Sequence, residues 1–147
     1  MQNVRQEVVK KPYELIEHTA DIGIRVRGRD LKSLFTNAAS ALFEIIAEEK
    51  PAPKKTLKKI SLKQKSGDLE ELFINWLNEL LSLSSAKGII FQRFKINKLK
   101  QDYLEAMVSG TSVINCRVNV EVKAATYHQL KIEKTKTGWQ AEVIFDV

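Results

Sequence analysis

Only two stretches of this 147-residue chain repeat their apolar side chains at helical spacing; most of the remaining apolar runs alternate every second residue. That division admits few architectures. The first helical stripe is Leu31, Leu34, Phe35, Ala38, Leu42, Ile45 and Ile46. Asp30 opens it, since its carboxylate can accept from the free N–H groups of a first helical turn. Pro51 and Pro53 close the element and lead into the lysine-rich TLKKISLK, which reads as a strand. The second stripe is Leu69, Leu72, Phe73, Trp76, Leu80 and Leu83. It opens on Asp68 with Glu71 three residues on, a capping-box pair, and ends at Lys87–Gly88.

Strands account for the rest. Ile22, Ile24 and Val26 alternate with Gly23, Arg25 and Arg27. Residues 89–99 and 103–109 read as a hairpin about Gln101–Asp102, and residues 117–123 set Val118, Val120 and Val122 on one face. Segments 129–134 and 139–147 meet at a turn containing Gly138. The expected fold is α+β in two layers, two amphipathic helices on one face of a mostly antiparallel mixed sheet. Residues 1–12 read as a basic tail and 13–147 as a single domain.

Composition narrows the function classes. With 44% hydrophobic and 29% charged residues the chain is globular, and no apolar run is long enough to span a bilayer. The N-terminal MQNVRQEVVKK lacks the apolar core of a signal peptide and Cys116 has no second cysteine, so a cytoplasmic protein is expected. The net charge of +6 is local: seven lysines and no acid fall between Lys50 and Lys65. They can grip a phosphate backbone or keep an edge strand from pairing with other chains. The second role is favoured, because no aromatic side chain interleaves them as a base-stacking platform would require.

No metal-finger or HExxH spacing, phosphate loop or GxSxG elbow is present. What remains is three polar groups in apolar surroundings: Glu17, His18, Thr19 and Asp21 before a strand; Lys123, Thr126, Tyr127 and His128 between two strands; and Asp146 within the closing VIFDV. Singly, each has a structural explanation: a turn for Asp21, a hydrogen-bonding role for the histidines, a solvent-facing Lys123. The closing segment is harder to explain so. A terminal strand held in a sheet puts the Asp146 side chain and the Val147 carboxylate within one residue, at a cost unless a counterion joins them. A hard divalent cation such as Ca²⁺ accepts such oxygens, and Asp21 can add another if its strand end lies nearby.

Several separated segments, in order from Tyr13 to Val147, resemble the archease family. They are EHTADIGIRVRG with NAASALFE after it, SGDLEELFINWLNELL, VKAATYHQLKI and GWQAEVIFDV. The resemblance implies a non-enzymatic activator of the RtcB-type tRNA-splicing ligase. Such a protein promotes the ligase's GTP-dependent guanylylation and its multiple turnover, and meets tRNA only through the ligase. It further implies a divalent metal, calcium before magnesium or manganese, held by Asp21, Asp146 and Val147. Lys123 is then a candidate partner or phosphate contact, with His18 and His128 as weaker ones. The loop VSGTSVINCR departs from the family in lacking acidic and histidine residues. Three other readings compete. They are an RNA-binding module using Lys50–Lys65, a general chaperone requiring an exposed apolar patch, and a metal-dependent hydrolase using Asp21, Asp146 and His18.

Overall fold

A computed structural model describes residues 11–16, 21–51 and 57–147. His18, Pro53, two of the seven lysines and most of the basic tail lie outside the described residues. The elements are β1 (Tyr13–Ile16), β2 (Ile22–Gly28), α1 (Leu31–Ile46), β3 (Ala47–Glu49), β4 (Lys58–Lys65), α2 (Leu69–Lys87), β5 (Ile89–Lys100), β6 (Tyr103–Ser112), a 3₁₀ turn (Val113–Asn115), β7 (Cys116–Val118), β8 (Ala124–Thr135) and β9 (Gly138–Asp146).

Both helices begin where their caps dictate. The Asp30 carboxylate accepts from Ser33 N–H at 2.8 Å, and the Asp68 carboxylate from Glu71 N–H at 2.9 Å. Glu71 completes a capping arrangement by reaching back to the Gly67 N–H, one residue before the cap. At its far end α2 stops on Gly88, whose left-handed φ of 64° suits a residue without Cβ. α1 ends differently from the expectation. It stops at Ile46, well before Pro51, and passes straight into β3. Its Ile46 carbonyl accepts from Asn119 N–H at 2.7 Å, so a strand-like segment rather than a proline finishes the helix.

The α+β class holds, with a different arrangement of sheets. Among the described residues there are three sheets in place of one mixed sheet, ordered β1-β2-β9-β8, β3-β7 and β4-β6-β5, and every pairing there is antiparallel. α1 packs on β2 and β5, and α2 on β8, β5 and β4, so each touches both larger sheets. Contact on two sides explains why α1 buries more than a stripe, with Ala39, Ala41 and Phe43 also inside. The helices meet through Phe35 and Phe73, whose rings stand edge to face 5.1 Å apart. The buried Trp76 indole also donates to the Phe35 carbonyl at 2.9 Å.

Two strand expectations are corrected. Residues 117–123 form a strand only through Val118; Val118 is exposed while Val122 is buried, so the alternating valines do not share a face. Residues 123–128 do not separate two strands, because β8 runs from Ala124 to Thr135 with its register shifted between Thr126 and Lys131. β4 is an edge strand, with Lys58, Lys59, Lys63 and Lys65 exposed.

Candidate functional site

The site forms at one end of the four-stranded sheet, where β9 lies between β2 and β8. Ala141, Val143 and Phe145 point into the core, with Phe145 wholly buried, and this anchors the strand nearly to its last residue. The opposite face of β9 carries Glu142, Ile144 and Asp146. Ile144 is also buried, because Gly23 beside it leaves room for Ile16 and Ile144 to cover the strand.

Strand register brings the polar residues together. The last β2–β9 pair is Ile22 with Phe145, so Asp21, one residue further, lies beside Asp146. On the other flank Ala124 pairs with Asp146, and the Lys123 N–H donates to the Asp146 carbonyl at 2.8 Å. Lys123 therefore runs alongside Val147. Facing positions on antiparallel strands hold their Cβ atoms about 4.5–5.5 Å apart, and like charges there repel.

The neighbouring carboxylates on this face already have cations. Arg25 donates to Glu142 at 2.8 Å and to Glu14 at 3.0 Å, and Arg27 donates to Glu14 at 3.0 Å. Hydrogen bonds from Arg25 and Arg27 hold the Glu14 carboxyl below its ordinary range. Asp21 and Asp146 lie four residues along their strands from the Arg25–Glu142 pair, with Gly23 and Ile144 between. Asp21 and Asp146 could hold a divalent cation at this end of the sheet. Among the described residues no three His, Cys, Asp or Glu side chains gather as a metal set. The described oxygen donors at this end are the Asp21 and Asp146 carboxylates, the Val147 carboxylate and main-chain oxygens, a set of the kind that suits a hard cation such as Ca²⁺ or Mg²⁺.

His128 lies in the irregular stretch of β8, exposed, with its N–H on the Thr126 hydroxyl at 3.3 Å. The next residue, Gln129, has a φ of 54°, an uncommon left-handed conformation for a residue with a Cβ. Tyr127 beside it is 55% exposed. Partial desolvation, then the charges of Glu71, Asp68 and Glu70 at the start of α2, push its hydroxyl pKa up. Bulges of this kind re-aim side chains near functional sites.

Sequence reading missed the residue that fixes β8 here. Asn78, half-buried on α2, donates its amide to the Ala125 carbonyl at 3.1 Å and accepts from the Ala125 N–H at 2.7 Å. This two-point clamp acts one residue from the strand position paired with Asp146. Its only sequence signal is an amide placed between Trp76–Leu77 and Leu80–Leu81. A groove of about 830 Å³ between α2 and residues 118–124 has Lys123 in its lining. No helix among the described residues is long and apolar enough to cross a membrane.

The model of the archease protein family matches residues 13–147. Protein archease of Methanosarcina acetivorans is 37% identical over 143 residues, covering 93% of this chain and 97% of the relative. The Pyrococcus abyssi protein of the same name is 38% identical over 143 residues, covering 93% and 99%. A solution structure of a Methanobacterium thermoautotrophicum protein superposes with a TM-score of 0.74 at 27% identity, over 94% of this chain and 100% of its own. A Thermotoga maritima crystal structure, described as an archease and possible chaperone, gives 0.63 at 25% identity, over 95% and 98%.

Proposed function

Because the chain belongs to the archease family, we propose that it is an accessory factor of an RtcB-type tRNA-splicing ligase, with no turnover of its own. In this reading it promotes GTP-dependent guanylylation of the ligase and resets the ligase between joining events, meeting tRNA through its partner. The observation carrying it is the strand register that sets Asp21 beside Asp146, with Lys123 hydrogen-bonded on the other flank.

Asp21, Asp146 and the Val147 carboxylate would hold a divalent cation, with calcium the best match to an all-oxygen donor set. When bound, the cation offers positive charge to anionic groups such as nucleotide phosphates. The chain's own residues do the remaining work: β2 and β8 hold the two flanks of β9, and Asn78 fixes the strand bearing Lys123. The ammonium of Lys123 lies exposed where it can meet a phosphate or an acidic side chain of the ligase. Tyr127 and His128 extend the contact surface along β8.

The rival, direct RNA binding by Lys50–Lys65, has less support. The described lysines of that stretch lie mainly on an exposed edge strand, where charge blocks unwanted strand pairing.

The test is transfer of labelled GTP to a purified RtcB-type ligase, with and without this protein. The parent chain should stimulate labelling, and the double change Asp21→Ala, Asp146→Ala should abolish the stimulation while leaving the fold intact. Full stimulation by the double variant would overturn the reading.

A further inference from the structure

The opposite end of the same sheet carries a different surface. There, α1 starts immediately after β2, and the β8–β9 turn folds against the same point. Two glycines permit this approach. A Cβ on Gly28 would stand 2.4 Å from the Leu34 nitrogen, and one on Gly138 would stand 2.2 Å from the Gly28 carbonyl oxygen. Asn37 adds a tie, donating to the Arg27 carbonyl at 2.7 Å. Between these walls lies a cleft of about 600 Å³, within the size range of small-molecule and cofactor sites.

Its lining is chemically one-sided. Arg27, Arg29 and Lys32 contribute three cations, Thr36 and Thr137 contribute hydroxyls, and no Asp or Glu lines it. The nearest acid in sequence, Asp30, has its carboxylate turned to the Ser33 N–H as the helix cap. Arg27 shares its charge with Glu14, and Arg29 and Lys32 flank the cap at exposed positions, where their charges also help to lower the Asp30 carboxyl after its hydrogen bonds to Ser33. Trp139 adds an aromatic ring to the lining, half-buried with part of its surface packed on the core. Cations, hydroxyls and a ring in one cleft are the combination that holds a phosphate and stacks a base. The lysine-rich strand β4 has no aromatic residue of its own, and Tyr103, across from Lys65 on β6, has its hydroxyl on Glu105.

We infer that this cleft binds a segment of single-stranded RNA, its phosphates on Arg29 and Lys32 and one base against Trp139. A single strand is preferred to a duplex, because the stacked and paired bases of a duplex offer no free face to the Trp139 ring. The inference goes beyond the ligase reading by adding a direct RNA contact to the indirect one made through the ligase, and it does not depend on the cation site, which lies at the other end of β9.

Fluorescence anisotropy of a labelled ten-nucleotide unstructured RNA tests it on the full chain. Each single-strand phosphate contact steepens the salt dependence of log K by about 0.7, so Arg29→Gln with Lys32→Gln should lower the slope by about 1.4 and weaken binding about 25-fold at 0.1 M salt. The control pair, Lys59→Gln with Lys63→Gln on β4, should weaken binding by much less. Tryptophan emission should fall as the RNA is added. All four positions are exposed, so both variants should melt with the parent. Equal losses from the two pairs, equal affinity for a duplex, or displacement of the strand by an equal concentration of a free 5′-mononucleotide would each overturn it.

Discussion

Replacing Asn78 with alanine removes the clamp between α2 and the start of β8, and its cost can be worked from the structure. Two hydrogen bonds are lost, to the Ala125 carbonyl at 3.1 Å and from the Ala125 N–H at 2.7 Å. Ala125 is only 4% exposed, so water does not easily replace the amide. Each bond contributes about 1 kcal/mol net, and a buried backbone group left unpaired costs about 1–3 kcal/mol, which gives a total of about 2–4 kcal/mol. For a domain of this size that is a fall in Tm of about 5–15 °C. Thermal unfolding by circular dichroism measures it, and hydrogen exchange should locate the loosening at Lys123 and Ala125. Asn78→Asp supplies a sharper readout. Ionised, it still accepts from Ala125 N–H but sets a carboxylate oxygen against the Ala125 carbonyl, so its loss at neutral pH should at least equal that of alanine. Protonation restores a donor and raises the folded-state pKa of the new carboxyl. The deficit relative to the parent should therefore shrink as pH falls through that value. An alanine variant within about 0.5 kcal/mol of the parent, well below the cost of even one orphaned group, or an aspartate variant matching the parent at neutral pH, would refute the clamp.

Calcium at a hundredfold excess over its dissociation constant should stabilise the parent by about 2.7 kcal/mol, read as a Tm rise reversed by chelator. Asp146→Ala should lose the rise, and an unchanged rise in Asp21→Ala, Asp146→Ala would place any bound ion elsewhere. Trp76→Phe removes the indole bond to Phe35 and part of a fully buried ring, and should cost about 2–3 kcal/mol in chemical denaturation. A loss below about 0.5 kcal/mol would mean the helix pair does not depend on it.

The features legible in the sequence were those set by neighbours in the chain. Asp30 and Asp68 announced their helices because a cap acts on N–H groups two or three residues away. The turn at Gln101–Asp102 and the Gly88 stop are equally local. β3 escaped notice because its three residues are held by Cys116–Val118, nearly seventy positions away. The valines of 117–123 misled because their two-residue period came from a segment crossing the end of α1, with no flat face to bury.

Asp21, Lys123 and Asp146 could each be singled out from residue type and surroundings, since a charge inside an apolar run is conspicuous wherever the chain goes. Their meeting could not be read from residue type or period; only the family resemblance implied it. It depends on β9 entering the sheet between β2 and β8 with one particular register, and a slip of a single residue would turn every side chain of β9 to the other face. The basic cleft is further still from the sequence, because its walls come from residues 27–37, 96 and 135–139. Composition and periodicity thus determined the α+β class, the two helices and the polar residues worth watching. Tertiary structure alone decided which of them share an end of the sheet, because pairing across strands is a long-range choice made by the burial of Ile24, Val143 and Phe145 in the core.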